Sequence, residues 1–158
     1  KNGSRKELVK AVELSDKLLR ATINKDESTV AEIIGEAHQA NTSPKFYNNE
    51  QALRSVVIMA YLSSVDDYIR FEELASGKGY IDLLFLPALQ SSKPALIIEL
   101  KWNKSAEKAI QQEQDQQYWK FAKQFRYKGK ILLVGINYNS KTKKHTCKIK
   151  EIESLEKN

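Results

Sequence analysis

The chain has few residues of the kinds that constrain a small protein covalently. Its 158 residues include one cysteine, Cys147, and two histidines, so no internal disulfide can form and no Cys/His zinc spacing is present. This composition fits a reducing compartment, and we expect a cytoplasmic protein. With only 6 glycines and 3 prolines, the chain is not expected to contain a long disordered segment.

Long apolar runs are also missing. No stretch approaches the roughly 20 apolar residues that a membrane-spanning helix needs, so we expect no membrane association. A signal-peptide pattern is absent from the N-terminal segment KNGSRKELVK. The sequence also lacks an initiator methionine, which indicates a piece of a longer protein.

What is present is the balance of a globular domain, with 41% hydrophobic and 29% charged residues. A chain of 158 residues suits one domain with a core. The net charge of +6 is compatible with a polyanionic partner such as nucleic acid. Because the lysines are scattered, and many soluble domains are equally basic, charge alone does not select a function.

Apolar periodicity predicts helices first and strands later. Helices are predicted over residues 4–20, from about Ser28 with Thr29 and Glu32 as a capping box, from Asn48 or Asn49 to about Ser63, and over about 105–125. Strands are predicted over residues 68–73, 80–86, 95–101, 130–138 and 145–152, the last as an edge strand. This order predicts helices packed around a mixed sheet.

Acidic residues interrupt two of these apolar strands. Asp82 lies within GYIDLLFLP, and Glu99 and Lys101 end the strand of KPALIIELKW, where alternation places both on one face. If the two strands form a hairpin around PALQSSKP, the register that pairs Pro87 with Pro94 places Asp82 opposite Glu99. Cross-strand partners have Cβ atoms about 5 Å apart, so we expect the two carboxylates to meet.

Two carboxylates at this distance raise the pKa of one of them, and a divalent cation between them removes the repulsion. Mg²⁺ typically takes one or two carboxylates and keeps several waters. Lys101 would stand about 7 Å along the strand from Glu99, within reach of a metal-bound water or a phosphate oxygen. The pattern therefore indicates a metal site suited to phosphodiester hydrolysis. A charged strand end in solvent remains an equal alternative on this pattern alone.

Asp82, followed by Glu99-Leu100-Lys101, resembles the D…(D/E)-x-K signature of the PD-(D/E)XK nuclease superfamily. The likeness covers nearly the whole chain through four blocks, which are NNEQALRSVVIMAY, EELASGKGYIDLLFLP, KPALIIELKWNKSAEKAIQQ and KGKILLVGINYNSKTKKHTCKI. These blocks are similar to the nuclease-like domain at the C-terminus of bacterial AAA-ATPase-like proteins.

The resemblance implies an α/β fold with a restriction-endonuclease-like core, in which helices flank a central mixed β-sheet. Residues 1–158 would form a single domain, with an N-terminal helical extension over residues 1–45 and the core over residues 46–158. An ATPase domain would lie upstream. Because no P-loop motif is present here, we do not expect this piece to bind ATP.

The resemblance also assigns site residues. It implies that Asp82 and Glu99 bind the metal, with a backbone carbonyl near Leu100, and that Lys101 is the active-site lysine. Glu50 on the first core helix and Gln112 on the helix after the motif would support them. The implied cofactor is Mg²⁺, with Mn²⁺ as a substitute.

The two supporting residues have simpler interpretations. Glu50 can be an ordinary acid in the first turn of a helix, where it complements the helix dipole. Gln112 can belong to a solvated face of the Gln-rich QQEQDQQ, where Gln111 is a near rival. The sequence also departs from the family pattern, with Glu113 at a usually hydrophobic position and Tyr80 where arginine or phenylalanine is common. The first departure makes the helix register less certain.

Other residues attract weaker hypotheses. We expect His38 and His145 to lie on the surface or on a helix face, without a catalytic role. Trp102 can stack on a base, although packing is the commoner role. Basic side chains of the helix predicted over about 105–125 can touch a phosphate backbone or simply face solvent; they are Lys104, Lys108, Lys120, Lys123 and Arg126.

Two functions follow from these observations. The first is a Mg²⁺-dependent nuclease that acts on DNA or RNA, with DNA ahead of RNA. The alternative is a catalytically inactive nuclease-fold module that binds nucleic acid or protein and regulates an attached AAA-type ATPase. The intact set of Asp82, Glu99 and Lys101 favours the nuclease, since a binding module does not need this charge cluster. The sequence does not decide the oligomeric state, and a homodimer is one possible form.

Overall fold

The computed structural model describes residues 2–41 and 49–154. Three helices come first, namely α1 (Asn2–Ile23), α2 (Glu27–Asn41) and α3 (Glu50–Ala60), and a 3₁₀ turn follows (Leu62–Asp66). The middle of the chain forms β1 (Tyr68–Ser76), β2 (Gly79–Pro87), β3 (Ala95–Trp102) and α4 (Ala106–Asp115). The last elements are a 3₁₀ turn (Tyr118–Lys120), α5 (Phe121–Gln124), β4 (Lys130–Asn139) and β5 (Lys144–Glu153).

The strands form a five-stranded sheet in the order β1-β2-β3-β4-β5. The β3–β4 pair is parallel and the other three pairs are antiparallel, so the predicted mixed sheet is confirmed. Helix α4 lies in the crossover between the parallel strands, as a parallel connection requires. Strand β5 lies at an edge, as predicted.

Each face of the sheet is covered by helical elements. Along β3, alternate residues Leu96, Ile98 and Leu100 join one core, which also contains apolar residues of α1, α2 and α3. Ala95 and Ile97 join the opposite core, with residues of α5 and the turn before it. Glu99 lies two residues after Ile97, so its side chain points to the same face of the sheet. Helix α4 covers this face.

Helix α4 packs closely on the sheet at Gly135 of β4. A Cβ atom built there would lie 2.5 Å from the carbonyl oxygen of Ala106 and 2.8 Å from the Cβ of Ala109. Gly135 is the register partner of Glu99 on β3. The absent side chain therefore lets α4 approach the sheet beside Glu99.

The prediction of one helix over residues 105–125 is wrong, because α4 ends at Asp115. Gln117 adopts a left-handed φ of 56°, which ends the helical path. The β1–β2 turn packs against the end of α4, where the backbone N–H of Lys78 donates to the carbonyl of Gln116 at 3.0 Å. Gly77 is required there because a Cβ would lie 2.4 Å from that carbonyl oxygen.

Helix starts and ends also differ in detail from the predictions. Asp26 caps α2 by accepting the backbone N–H of Thr29 at 3.3 Å, so the predicted capping box is wrong. Asn49 caps α3 as predicted, accepting the backbone N–H of Ala52 at 2.7 Å. Asn48 lies outside the described residues. Helix α3 ends at Ala60, three residues before the predicted Ser63.

Of the two histidines, which were expected on the surface or on a helix face, His38 is on a helix but is not exposed, and His145 lies on a strand. His38 of α2 is buried, and its Nδ1 lies 2.7 Å from Nε2 of His145 on β5, which is half-buried. Their rings pack with those of Trp102 and Tyr138, whose centroids are 4.7 Å apart. No helix among the described residues has the length and apolar character needed to cross a membrane.

Candidate active site

The predicted β2–β3 register is confirmed. Leu83 pairs with Ile98, Leu84 with Ile97 and Phe85 with Leu96. One more step along the same register brings Asp82 beside Glu99, as the turn between the strands predicts.

The Asp82 and Glu99 side chains are close enough to share a hydrogen bond. Oδ2 of Asp82 also accepts the backbone N–H of Leu100 at 3.2 Å, which fixes the carboxylate against β3. Glu99 is only 3% exposed, whereas 17% of the Asp82 side chain is exposed. Asp82 therefore stands at the open side of the pair and Glu99 at the closed side.

The environment of Glu99 favours its neutral form. Burial, followed by the hydrogen bond and the charge of Asp82, raises the pKa of Glu99 to about 10. The ammonium of Lys101 acts in the opposite direction and lowers this pKa. Without a bound cation, Glu99 thus carries a proton at neutral pH.

Gln112 on α4 joins the lysine to the acid. Nζ of Lys101 donates to Oε1 of Gln112, and Nε2 of Gln112 donates to Oε2 of Glu99 at 3.1 Å. The same Nε2 lies 2.9 Å from the hydroxyl of Tyr118, which is buried. The rival Gln111 is exposed and donates to Asp115 at 2.7 Å on the solvent face. The structure thus brings Gln112, and not Gln111, to the paired acids.

Glu50 lies at the edge of this group. It is the first residue of α3 and is exposed, so it also fits the simple interpretation of a first-turn acid. Its negative charge also raises the pKa of Glu99, and this is the smallest of the contributions to that shift. Glu50 therefore acts on the acid pair through its charge.

Sequence reasoning missed Arg54, which lies one turn after Glu50 on α3. Its Nη2 is 2.7 Å from Oδ1 of Asp82, and its Nη1 is 2.7 Å from Oε1 of Glu73 on β1. The i, i+4 spacing of Glu50 and Arg54 on one helix face is the signal that could have indicated a role for it. Nothing in the sequence shows which strand this long side chain reaches.

Glu113 marks the departure from the family pattern. It is fully buried, and within the described residues its carboxylate oxygens make no hydrogen bond of ordinary geometry, although the backbone of Glu99 lies near enough to favour the charged form. Burial first, and then the charge of Glu99, raises the pKa of Glu113 well above its ordinary value. The surroundings of Glu113 therefore favour its neutral form, and the helix register holds despite it.

The donor set fits a hard divalent cation. Asp82 and Glu99 supply two carboxylates, and the peptide carbonyl of Leu100, between the acid and the lysine, is the predicted third ligand. Within residues 2–41 and 49–154, no group of three or more His, Cys, Asp or Glu side chains is arranged to hold a metal. Two carboxylates with waters is the arrangement that Mg²⁺ favours, and a cation there would offset both the burial of Glu99 and the charge of Asp82, which raise the pKa of Glu99.

Cavity size alone does not point to this group. A groove of about 910 Å³ lies between α2 and β5, and it is lined by His145 and by both acidic and basic side chains. Asp82, Glu99 and Lys101 do not line that groove. We place the candidate site at the paired acids because they, and not the groove walls, combine one buried and one half-buried carboxylate with a fixed ammonium.

The comparisons with known proteins agree with this geometry. A family model described as PD-(D/E)XK nuclease superfamily matches residues 48–148. The matched range includes all of the residues that the sequence assigned to the site, namely Glu50, Asp82, Glu99, Leu100, Lys101 and Gln112. The mixed sheet flanked by helices is the α/β, restriction-endonuclease-like architecture expected of this family. No curated protein matches the chain.

Proposed function

The chain belongs to the PD-(D/E)XK nuclease superfamily, and from this premise we propose that it is a Mg²⁺-dependent nuclease. Membership implies a nucleic-acid partner, and nucleases of this superfamily generally use divalent metals. The observation that carries the proposal is the meeting of Asp82 and Glu99, with Lys101 tied to the same pair through Gln112. We expect DNA ahead of RNA as the substrate.

Asp82, Glu99 and the backbone carbonyl of Leu100 would hold the cation, with Mn²⁺ able to replace Mg²⁺. When bound, the cation supplies Lewis-acid chemistry, polarising a phosphate oxygen and lowering the pKa of a water. The protein fixes the two acids beforehand, since Asp82 is held by the N–H of Leu100 and Glu99 by the amide of Gln112.

Lys101 supplies the positive charge that the reaction needs next to the acids. An ammonium fixed at this position stabilises the charge that develops on a phosphate oxygen and orients the attacking water. Gln112 accepts a hydrogen bond from Nζ of Lys101 while donating to Glu99, so it sets the spacing between the two groups. Gln112 is thus a positioning residue, and Lys101 is the catalytic one.

The wider context is also a proposal. We propose that this domain works in the bacterial cytoplasm, attached to an upstream AAA-type ATPase domain, and that it can act as a homodimer. The resemblance of its sequence blocks to such proteins supports the ATPase attachment. The buried, unpaired thiol of Cys147 is compatible with a reducing compartment.

Cleavage assays with the purified protein test this function. Plasmid, linear duplex, single-stranded DNA and RNA are incubated with Mg²⁺, with Mn²⁺ or with EDTA. We expect metal-dependent cleavage that falls about a hundredfold or more in Lys101→Met, because a charge-stabilising donor is lost. Lys150→Met is the matched control, since this exposed lysine is on β5, which β4 separates from the strands of the acids, and it should cleave like the wild type.

The opposite result would favour the alternative function. If no substrate is cleaved and calorimetry detects no binding of Mg²⁺ or Mn²⁺, the result favours a catalytically inactive nuclease-fold module that binds nucleic acid or protein and regulates an attached AAA-type ATPase. Cleavage that persists unchanged in Lys101→Met would refute the role given to this lysine.

A further inference from the structure

Three acidic residues lie in a row across three neighbouring strands. In the β1–β2 register, Glu72 pairs with Leu83 and Leu74 with Ile81, and the unpaired Glu73 lies between them, where Arg54 joins its carboxylate to that of Asp82. Glu99 stands on the other side of Asp82 in the β2–β3 register. Asp82 is therefore the middle carboxylate, with a neighbouring acid on each side.

The two oxygens of Asp82 serve the two sides separately. Oδ2 accepts the backbone N–H of Leu100 on the side of Glu99, where the metal site is proposed. Oδ1 accepts from Nη2 of Arg54 at 2.7 Å, while Nη1 of Arg54 donates to Glu73 at 2.7 Å. The guanidinium thus bridges the two carboxylates on the side away from Glu99.

Arg54 is held in this position from several directions. Only 23% of its side chain is exposed, and Glu50 lies one turn earlier on the same helix. Burial alone lowers the pKa of Arg54, but the hydrogen bond to Glu73 and the charges of Asp82, Glu73 and Glu50 outweigh it and raise this pKa, so the side chain stays cationic. Glu73 itself has a left-handed φ of 51°, which a non-glycine residue rarely adopts.

This arrangement matches the electrostatic layout of a two-metal site. In such sites, two cations about 3.5–4 Å apart clamp the reacting phosphate from both sides. Here Asp82 is the carboxylate that two cations would share, and one of the two positions is filled by Arg54. A planar guanidinium is permanently charged and suited to bridging two carboxylates.

We propose that Arg54 is a fixed cation in place of a second metal ion, so that the site binds one divalent ion per chain. This inference rests on the proposed metal-dependent function and deepens it. Arg54 is a positioning residue, since it acts through the charge and orientation of Asp82.

Calorimetric titration of the protein with Mn²⁺ tests the stoichiometry directly. The wild type should bind one ion per chain. Arg54→Met removes the charge at nearly the same side-chain length and should open the space between Glu73 and Asp82, raising the stoichiometry to two. Arg54→Lys keeps a cation there and should bind one ion. Two neighbouring Mn²⁺ ions also broaden the electron paramagnetic resonance spectrum, which gives an independent readout.

Arg70→Met is the matched control. Arg70 is an exposed arginine of β1 with an ion-pair distance of 3.5 Å to Glu72, so the charge change is the same and Asp82 is untouched. We expect one bound Mn²⁺ in this variant, with an affinity within about twofold of the wild type. Circular dichroism checks the fold of each variant, and Arg54→Gln serves as the neutral variant if Arg54→Met does not fold.

The outcomes separate this inference from the proposed function. Two ions in the wild type, or a single ion in the folded neutral variant, would overturn the role of Arg54 while leaving metal binding intact. A single ion in the folded neutral variant would show that Arg54 either competes for the same ion or has no effect on its binding. No Mn²⁺ binding by the wild type would overturn the metal-dependent function itself.

Discussion

Binding of a divalent cation should release about one proton from Glu99. The pKa of this carboxyl is raised to about 10 by burial and by Asp82, so at pH 7 it is protonated when no cation is bound. A carboxyl group must lose its proton to become a metal ligand, which couples metal affinity to pH. Between pH 6 and pH 9, the apparent affinity should therefore rise by about tenfold per pH unit.

Calorimetry in buffers of different ionisation enthalpy measures this proton directly. At pH 7, the slope of the observed enthalpy against the buffer ionisation enthalpy should correspond to about one proton released per bound Mn²⁺. Glu99→Gln removes the titrating group, so its residual metal binding should release no proton and should not depend on pH in this range. A wild-type slope near zero would refute the reasoning, because it would mean that Glu99 is already ionised beside Asp82.

The same raised pKa has a consequence for stability in the absence of metal. The folded protein holds a proton on Glu99 up to about pH 10, whereas the unfolded chain loses it near the ordinary value of 4.5. The folded state therefore binds more protons, and its free energy of unfolding should fall as the pH rises through this window. Thermal melting in EDTA from pH 5 to pH 9 checks the sign, and added Mn²⁺ should offset the loss.

Three substitutions test other parts of the account. Gln112→Leu breaks hydrogen bonds to the charged Lys101 and to Glu99, each worth about 1.5–3 kcal/mol, so cleavage should fall about tenfold or more. Glu113→Leu replaces a buried carboxyl that makes no hydrogen bond of ordinary geometry by an apolar group of similar size, and thermal melting should show about 1–3 kcal/mol of added stability. Gly135→Ala pushes α4 off the sheet, since the new Cβ would overlap this helix, and should cost about 1–3 kcal/mol.

The two substitutions on α4 have controls on the same helix, and each of the three has an outcome that contradicts it. Gln111→Leu and Glu107→Leu change exposed residues of α4 and should leave cleavage and melting near the wild type. Unchanged cleavage in Gln112→Leu would show that the link between the lysine and the acid is not needed. A lower melting temperature in Glu113→Leu would mean that the buried acid has a partner, and an unchanged one in Gly135→Ala would mean that α4 can shift freely.

The central acid pair could be predicted from the sequence because its geometry is local. Asp82 and Glu99 lie on consecutive strands joined by a short turn, and the two prolines at the turn fix a register that the structure confirms. Alternation along β3 then places Lys101 on the same face as Glu99. The catalytic roles of these residues stay predictions until they are measured.

Features that depend on how elements pack could not be predicted in the same way. The end of α4 is set by the β1–β2 turn, which meets Gln116 from a distant part of the chain. Arg54 reaches Asp82 only because α3 packs against the sheet there, which helical periodicity does not reveal. The contact of His38 with His145 likewise requires the docking of α2 on β5. The cap of α2 is a different case, because Asp26 is close in sequence to the predicted Thr29/Glu32 capping box. Both patterns were visible in the sequence, and the structure uses Asp26.

The central claim is that Asp82 and Glu99 jointly hold a divalent cation. Anomalous diffraction from a crystal soaked in Mn²⁺ tests it most directly, with a crystal of Asp82→Asn soaked in the same way for comparison. The account predicts a strong peak bonded to both carboxylates in the wild type and a weaker one or none in the variant. An anomalous map with no peak between the two acids, in a crystal where Mn²⁺ binds elsewhere, would contradict it.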